Sequence, residues 1–237
     1  MTFLRELIAA ASGATPVPEL LRKVKVLGSF TGAVELEKWA NLETYGYKPV
    51  DDLPTYRGPF PAMALGDFIT NRGDQAKNVA IPEITFPKEN RGGPLFTLTF
   101  DQGAAQIQNW AAKPDGISFR WHQDAVVAYN MMVREKTVNA IMEPGWGLLA
   151  VKLHAGQSQF EGILDAIRNT ALDLALELQK QAPDAGEPDA DPSTNERAVS
   201  VVNNFYLEHA NLSGSNNVLG GSEFSQKIAQ DPEPAGE

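Results

Sequence analysis

The sequence contains no cysteine, only three histidines and no long apolar run. Without cysteine the chain cannot form disulfides, use a thiolate nucleophile or offer thiolate ligands to zinc or an iron–sulfur cluster. No stretch approaches the roughly 18 consecutive apolar residues of a membrane helix. Arg5 and Glu6 interrupt the apolar N-terminus, which argues against a secretory signal. We therefore expect a cytoplasmic protein with no membrane partner.

Positive charge is also in the minority. The sequence contains 20 lysines and arginines and 30 aspartates and glutamates, which gives a formal net charge of −10. Such a charge repels nucleic-acid backbones and anionic membranes, unless a local basic patch dominates. The one basic cluster in the sequence, Arg22–Lys25, is interpreted as the solvated face of a helix. Nucleic acid is therefore not an expected partner.

Motifs that carry chemistry are missing as well. The sequence has neither of the glycine-rich phosphate-binding patterns and no nucleophile elbow. The histidines at 122, 154 and 209 lack the i, i+4 spacing of a helical metal pair. We therefore predict no catalytic residue, no metal site and no cofactor. His122 beside Asp124 is the one pair that could act as a general base if the chain is an enzyme.

The residues that are present predict an α+β fold. The first part of the chain contains three short amphipathic helices: Phe3 to Ala11, a second starting at Pro16 and Pro18, and a third from Val34 to Leu42. Between Lys48 and Gln157 prolines and glycines become frequent, and the pattern favours a small, largely antiparallel sheet. The predicted strands are Leu95–Phe100, Ile117–Trp121 and Gly147–Leu153. A helix is expected over Gln102–Ala112. Asp124–Val133 is compatible with a helix capped by Asp124 or with a strand, and the helix is favoured.

A long amphipathic helix follows the sheet. Ser158 and Glu161 have the spacing of a capping box, and four apolar residues are predicted to be core: Leu164, Ile167, Leu174 and Leu178. We divide the chain into an α+β domain over 1–181, an acidic proline-rich linker over 182–197 and a tail over 198–237. The linker contains three prolines and no large apolar side chain.

The tail is interpreted as a β-prone assembly segment. In an extended strand, alternate residues from Val199 to Leu207 share one face, and a strand this short must pair with something. Asparagines can also pair with copies of themselves when like strands stack. The candidate assembly residues are Val199, Val201, Asn203, Phe205, Asn216, Asn217 and Phe224. A tail without any ordered role is the alternative.

Several segments together resemble the AbiTii family of bacterial abortive-infection proteins. The resemblance is carried by Leu20-Leu-Arg-Lys-Val-Lys-Val-Leu27, Glu35-Leu-Glu-Lys-Trp-Ala40, Glu43-Thr-Tyr-Gly-Tyr47, Asp52-Leu-Pro-Thr-Tyr-Arg57 and the long helix from Ile163 to Leu178. It covers roughly Phe3–Gln181. The resemblance implies a role in phage defence, and it carries over no catalytic residue.

Three functions are compatible with these observations. The first is a non-catalytic sensor, adaptor or scaffold of phage defence that forms a homo-oligomer and contacts a phage protein or another host defence protein. The second is a toxic hydrolase that acts on nucleotides or nucleic acid. The third is a structural protein of a virion whose tail mediates assembly.

Overall fold

In this computed structural model the described residues are 2–48 and 53–217, and they form an α+β fold, as predicted. The α-helices of this part are α1 (Phe3–Ser12), α2 (Val17–Thr31), α3 (Val34–Tyr45), α4 (Ala104–Ala111), α5 (Gln123–Arg134), α6 (Gln157–Gln181) and α7 (Pro192–Asn217). The strands are β1 (Phe60–Pro61), β2 (Ala64–Thr70), β3 (Gln75–Ile81), β4 (Thr97–Leu98), β5 (Ile117–Arg120) and β6 (Trp146–Ala155). Short 3₁₀ turns lie between them.

The chain divides into two compact units. Residues Met1–Thr44 and Ile167–Glu237 form the first, which we call the helical unit, and Tyr45–Ala166 form the second, the sheet unit. The boundary between Ala166 and Ile167 falls inside α6. The segments 1–181, 182–197 and 198–237 were separated by sequence character alone, and as domains they stay a prediction.

The three N-terminal helices agree with the prediction. α2 has proline in its first turn and ends at Gly32, whose positive φ of 72° is a left-handed conformation that suits glycine. Gly28 allows α3 to lie close to α2, because an added Cβ would meet the Glu37 nitrogen at 2.9 Å. The apolar stripe of α2 is buried: Leu20, Leu21, Val24 and Leu27.

Helix α6 begins earlier than expected. Gly156 precedes it, and the Gly156 N–H donates to Oε1 of Gln159 at 3.0 Å. The first turn therefore uses Gln159, and the predicted Ser158–Glu161 capping box is wrong because the helix starts at Gln157. Ile167, Leu174 and Leu178 are buried as predicted, whereas Leu164 is half-buried and Ile163 lies in the core.

The strand predicted for the start of the tail is wrong: residues 198–207 lie within helix α7. The buried residues there are Ala198, Val201, Val202 and Phe205, which follow the i, i+3, i+4, i+7 spacing of a helix. The alternation of valines that suggests a strand coexists with this helical stripe. Burial of the stripe against the rest of the helical unit outweighs the modest β-preference of valine.

The segment 182–197 is not an unanchored linker. Ala182 and Ala185 are fully buried. The Phe3 N–H donates to Oε1 of Glu187 at 2.6 Å, and an added Cβ on Gly186 would meet Leu27 Cδ1 at 2.9 Å. Small residues therefore anchor this segment within the helical unit, because alanine and glycine allow a close approach of the backbone that large apolar side chains would prevent.

The main sheet has four antiparallel strands in the order β3-β2-β6-β5. Strands β5 and β6 and helices α4 and α5 confirm the prediction. The hairpin β2–β3 was not predicted, because a bulge at Gly66–Phe68 breaks its alternation. The predicted strand Leu95–Phe100 is reduced to β4, which pairs only with β1.

Aromatic rings form the core of the sheet unit. Phe86, Phe96, Trp121 and Tyr129 make one cluster with ring centroids 5.3 to 6.0 Å apart. A second cluster lies around Phe100 and contains Phe60, Trp110, Phe119 and Phe160. Edge-to-face packing of this kind adds about 0.5–1.5 kcal/mol per pair beyond the area buried.

Candidate functional site

The three histidines lie on three different elements. His122 precedes α5, and its Nδ1 accepts from the Asp124 N–H at 3.4 Å and lies 3.2 Å from the Asp124 carboxylate. Both side chains are at least 81% exposed. This pair therefore caps a surface helix, a geometry that needs no catalytic explanation. His154 lies on an exposed position of β6, and His209 lies in α7.

No group of three His, Asp or Glu side chains with metal-binding geometry occurs among residues 2–48 and 53–217. Within the same ranges no helix is long and apolar enough to cross a membrane.

The candidate assembly residues are distributed differently from the single strand face that was expected. Val201 and Phe205 are buried inside the helical unit, Asn203 is exposed and Val199 is half-buried. Asn216 and Asn217 end α7, with side chains outside the described part of the chain, and Phe224 lies outside the described residues altogether. Their proposed role in assembly is untested, but they do not share one strand face.

Arg57 is the most deeply placed charge of the sheet unit. The side chain is fully buried, and its Nη1 donates to the carbonyl oxygens of Phe100 and Gln102 at 2.8 Å each. The guanidinium also lies 5.0 Å from the centroid of the Tyr47 ring, within the range of a cation–π contact. Arg57 thus fixes the segment that leads from β4 to α4.

Gly46 and Tyr47 fix the same segment from another direction. The Tyr47 N–H donates to the Asp101 carbonyl at 2.8 Å. Gly46 has a φ of +94°, and an added Cβ would lie 2.6 Å from the Asp101 oxygen, so only glycine fits. The Gly-Tyr and Tyr-Arg elements of the sequence pattern therefore converge on Phe100–Gln102.

Arg168 has a comparable role in the helical unit. Its guanidinium donates to the carbonyl oxygens of Ala10, Gly13 and Thr15 at 3.2, 3.0 and 2.7 Å. These carbonyls belong to the C-terminal end of α1 and the turn after it, where helix carbonyls lack intrahelical partners and the helix dipole favours a cation. Arg168 therefore caps α1.

Tyr206 on α7 is the most perturbed titratable group of the helical unit. Its hydroxyl is buried and has no hydrogen-bond partner among the described residues. Burial raises the pKa of Tyr206 strongly, and the negative charges of Glu43 and Glu35 raise it further. Its ring lies 6.5 Å from that of Trp39. The site is aromatic and acidic, and it resists ionisation of the tyrosine.

An apolar surface on the helical unit was missed by the sequence reading. Phe30 and Val34 are 52% and 72% exposed, and Val26, one turn before Phe30, is 40% exposed. We call these three residues the α2–α3 apolar surface. Next to it, an open depression of about 450 Å³ is lined by Thr31, Pro192, Asn195, Glu196 and Val199. The sequence did contain one signal for this surface, because these three apolar residues lie outside the buried Leu20–Leu27 stripe.

Comparison with protein families gives a direct answer. The AbiTii profile matches residues 2–204 of the chain. This chain belongs to the AbiTii family. The match extends beyond the resemblance seen over Phe3–Gln181 and takes in residues 192–204, the first half of α7. No curated protein and no solved structure matches the chain.

Membership of the AbiTii family indicates abortive infection, the antiviral defence of bacteria against phage. The segments that carry the AbiTii pattern contain residues that stabilise the interior of each unit separately. These residues are the α2 stripe and Arg168 in the helical unit, and Gly46–Tyr47 and Arg57 in the sheet unit. The recognisable pattern therefore describes the fold, and function has to be sought on the surfaces between these segments.

Proposed function

We propose that this AbiTii chain acts in phage defence as a non-catalytic scaffold or sensor that self-associates through the α2–α3 apolar surface. The observation that carries the proposal is the exposure of Phe30 and Val34, at 52% and 72%, on neighbouring helices of one unit. Contiguous exposed apolar side chains of this size mark interaction sites in soluble domains.

Two further features support assembly by this surface. Phenylalanine is among the residues that dominate interface energies when they fill a partner's pocket. The open depression beside the surface, which Val199 and Thr31 help to line, gives an apolar side chain of a second copy a place to pack. A symmetric pair of copies would place each surface against its equivalent, as closed oligomers do.

The residues of the AbiTii pattern support the non-catalytic part of the proposal. Arg57 and Arg168 donate to backbone carbonyls, and His122 caps a helix. These polar groups, which in an enzyme would be candidates for chemistry, are engaged in positioning the backbone. A phage or host defence protein is the partner we propose for the assembled form.

Light scattering at several concentrations tests self-association. The full chain should show a mass that is a multiple of 25.7 kDa, and Phe30→Ser with Val34→Ser should lower it to the monomer. Ile84→Ser is the matched control, because Ile84 is 72% exposed on the sheet unit. A full chain that stays monomeric at every concentration contradicts the proposal, as does a double variant with unchanged mass.

Phage plating on bacteria that express each variant connects assembly to defence. Protection should be lost with the Phe30 and Val34 double variant and kept with Ile84→Ser, at equal melting temperature. Deleting the tail from Ala198 onward is unsuitable as a test, because it removes buried residues of the helical unit.

A further inference from the structure

We propose that the solvent face of the sheet, at strands β5 and β6, binds the phosphodiester backbone of nucleic acid. The inference goes beyond the scaffold proposal and does not depend on it. It concerns the sheet unit alone, whereas self-association is assigned to the helical unit.

The register of the sheet creates a basic surface that the sequence does not display. Arg120 on β5 lies directly opposite Lys152 on β6, and Ser118 lies opposite His154. Phe119, between Ser118 and Arg120, packs on Trp110 and Phe100 in the core, so its two neighbours point the other way, to solvent. We call Ser118, Arg120, Lys152 and His154 the basic sheet face.

This arrangement costs stability unless an anion is present. Side chains directly opposite in an antiparallel pair have Cβ atoms about 4.5–5.5 Å apart, and like charges at that distance repel. Arg120, Ser118 and His154 are exposed and Lys152 is half-buried. Neither Arg120 nor Lys152 forms an ion pair with another described residue. The nearest acidic position on the face is Asp67, which lies opposite Ala150, and its Oδ1 accepts from the Asn78 N–H at 3.0 Å.

His154 packs against Gly116, the residue that precedes β5. An added Cβ on Gly116 would lie 2.9 Å from both Cε1 and Nε2 of His154, and Gly116 has a φ of +65°. The imidazole therefore packs over the Gly116 backbone, at the edge of the face. Arg120, Ser118 and His154 thus lie along the same face of the β5–β6 pair.

The distribution of charge over the chain removes the objection raised by its net charge. The sheet unit holds 11 basic and 13 acidic residues, a formal charge of −2, whereas the rest of the chain holds 9 and 17, a charge of −8. Repulsion of a polyanion is therefore concentrated in the helical unit. Screening over about 8–10 Å at physiological salt lets a local patch act by itself.

Nucleic acid fits this surface better than a small phosphate compound does. The four residues lie on the open face of a sheet, where an isolated phosphate would stay largely hydrated. A phosphodiester chain instead gains by releasing its condensed counterions whenever lysine or arginine neutralises a phosphate. We commit to a single strand, because its backbone can bend to follow a short patch.

Fluorescence anisotropy with a labelled single strand of about 16 nucleotides tests the inference on the full-length protein. Arg120→Gln with Lys152→Gln should weaken binding about tenfold in low salt and reduce the slope of log K against log salt by about 1.4. Between about 50 and 200 mM salt the wild type should lose about sevenfold more affinity than this variant. Lys152→Arg should bind like the wild type.

The control must carry the same change of charge elsewhere. Arg5→Gln with Arg22→Gln removes two exposed positive charges from the helical unit and should leave the affinity and the salt slope unchanged. Equal weakening by both double variants would show a general effect of net charge and overturn the assignment. So would a wild type that does not bind at low salt, or one that binds labelled polyglutamate as tightly as the oligonucleotide.

Two readouts separate this inference from the scaffold proposal. The Phe30 and Val34 double variant should still bind the oligonucleotide. Its affinity should fall by no more than the change from an oligomer with several binding faces to a monomer with one explains, and its salt slope per chain should be unchanged. The Arg120 and Lys152 variant should keep the wild-type mass in light scattering. If it melts at lower temperature than the wild type, Ser118→Glu provides a second disruption of the same face and should abolish binding.

Discussion

The helical unit and the sheet unit use arginine and aromatic residues in different ways. In the helical unit, apolar stripes of α1, α2, α6 and α7 supply the core, and Arg168 caps one helix from a half-buried position. In the sheet unit, two aromatic clusters supply the core, and Arg57 lies fully buried with its donors on two carbonyls. The stripes spread the stabilisation over many apolar residues, whereas the junction of the sheet unit depends on the hydrogen bonds of one arginine. The units also differ in charge, at −8 and −2.

The largest expected effect tests how α7 completes the helical unit. Val202 is 1% exposed, whereas the adjacent Asn203 is exposed. Val202→Asp should cost more than about 4 kcal/mol of unfolding free energy, because it places an unpaired charge in the core. Asn203→Asp should change it by less than about 0.5 kcal/mol. A strand with Asn203 and Phe205 on its inner face would reverse this order in a denaturant melt.

Removing Arg57 tests the buried junction of the sheet unit. Arg57→Ala leaves one buried and one partly buried carbonyl oxygen without their charged donor and should cost about 3–5 kcal/mol. The matched control is Arg91→Ala, because Arg91 also donates to two backbone carbonyls, those of Phe86 and Ile84, from a half-buried side chain. It should cost about 1 kcal/mol. Equal losses for the two variants in urea would mean that the burial of Arg57 has no special role.

Arg168 provides the comparison in the other unit. Arg168→Ala should cost about 1–2 kcal/mol, because water can reach the carbonyls of the α1 end once the guanidinium is gone. Hydrogen exchange should show faster opening of α1 than of α2. Arg22→Ala, an exposed arginine on α2, serves as the control and should leave exchange unchanged. A loss as large as that of Arg57→Ala would contradict the contrast drawn between the units.

The smallest effect concerns alkaline pH. Because the pKa of Tyr206 is raised above its usual 10 by burial and by Glu43 and Glu35, the unfolded state releases a proton above pH about 10 that the folded state keeps. Stability should therefore be complete below pH 10 and fall above it, by at most about 1.4 kcal/mol per pH unit for this group. Tyr206→Phe should flatten the decline.

Tyr129 serves as the counterpart in the sheet unit. Burial also raises its pKa, and the backbone of Ile141 offsets part of that increase. Tyr129→Phe should therefore flatten the alkaline decline less than Tyr206→Phe does. An identical profile for wild type and Tyr206→Phe would show that the Tyr206 hydroxyl ionises freely in the folded state.

The sequence was sufficient for elements whose signals are local. Helices α1 to α3 combine a clear stripe with glycine or proline at their ends, and β5 and β6 have unambiguous apolar runs. The hairpin β2–β3 was missed because its bulge and the left-handed Asn78, with φ of 58°, disturb the alternation. Ala198–Leu207 was misassigned because valine alternation and a helical stripe coincide in the same residues, and only the packing partner selects one of them.

The two candidate surfaces could not be recognised from local signals in the sequence. Arg120 and Lys152 are 32 positions apart, and only the register of β5 on β6 makes them neighbours. Phe30 and Val34 read as ordinary helix residues until the burial of the Leu20–Leu27 stripe shows that they face outward. The net charge is likewise a sum over the chain and contains no information about where the charges lie.

By itself the sequence determined the α+β class, helices α1 to α3 and α6, the family and its role in phage defence, because apolar periodicity, glycine and proline near helix ends, and ordered motifs act over short distances along the chain. Only the tertiary structure decided which conformation residues 198–207 adopt, which arginine is buried and which charges share a face. Those outcomes depend on contacts between residues far apart in sequence, where burial of apolar area and the pairing of polar groups outweigh the intrinsic preference of any single segment.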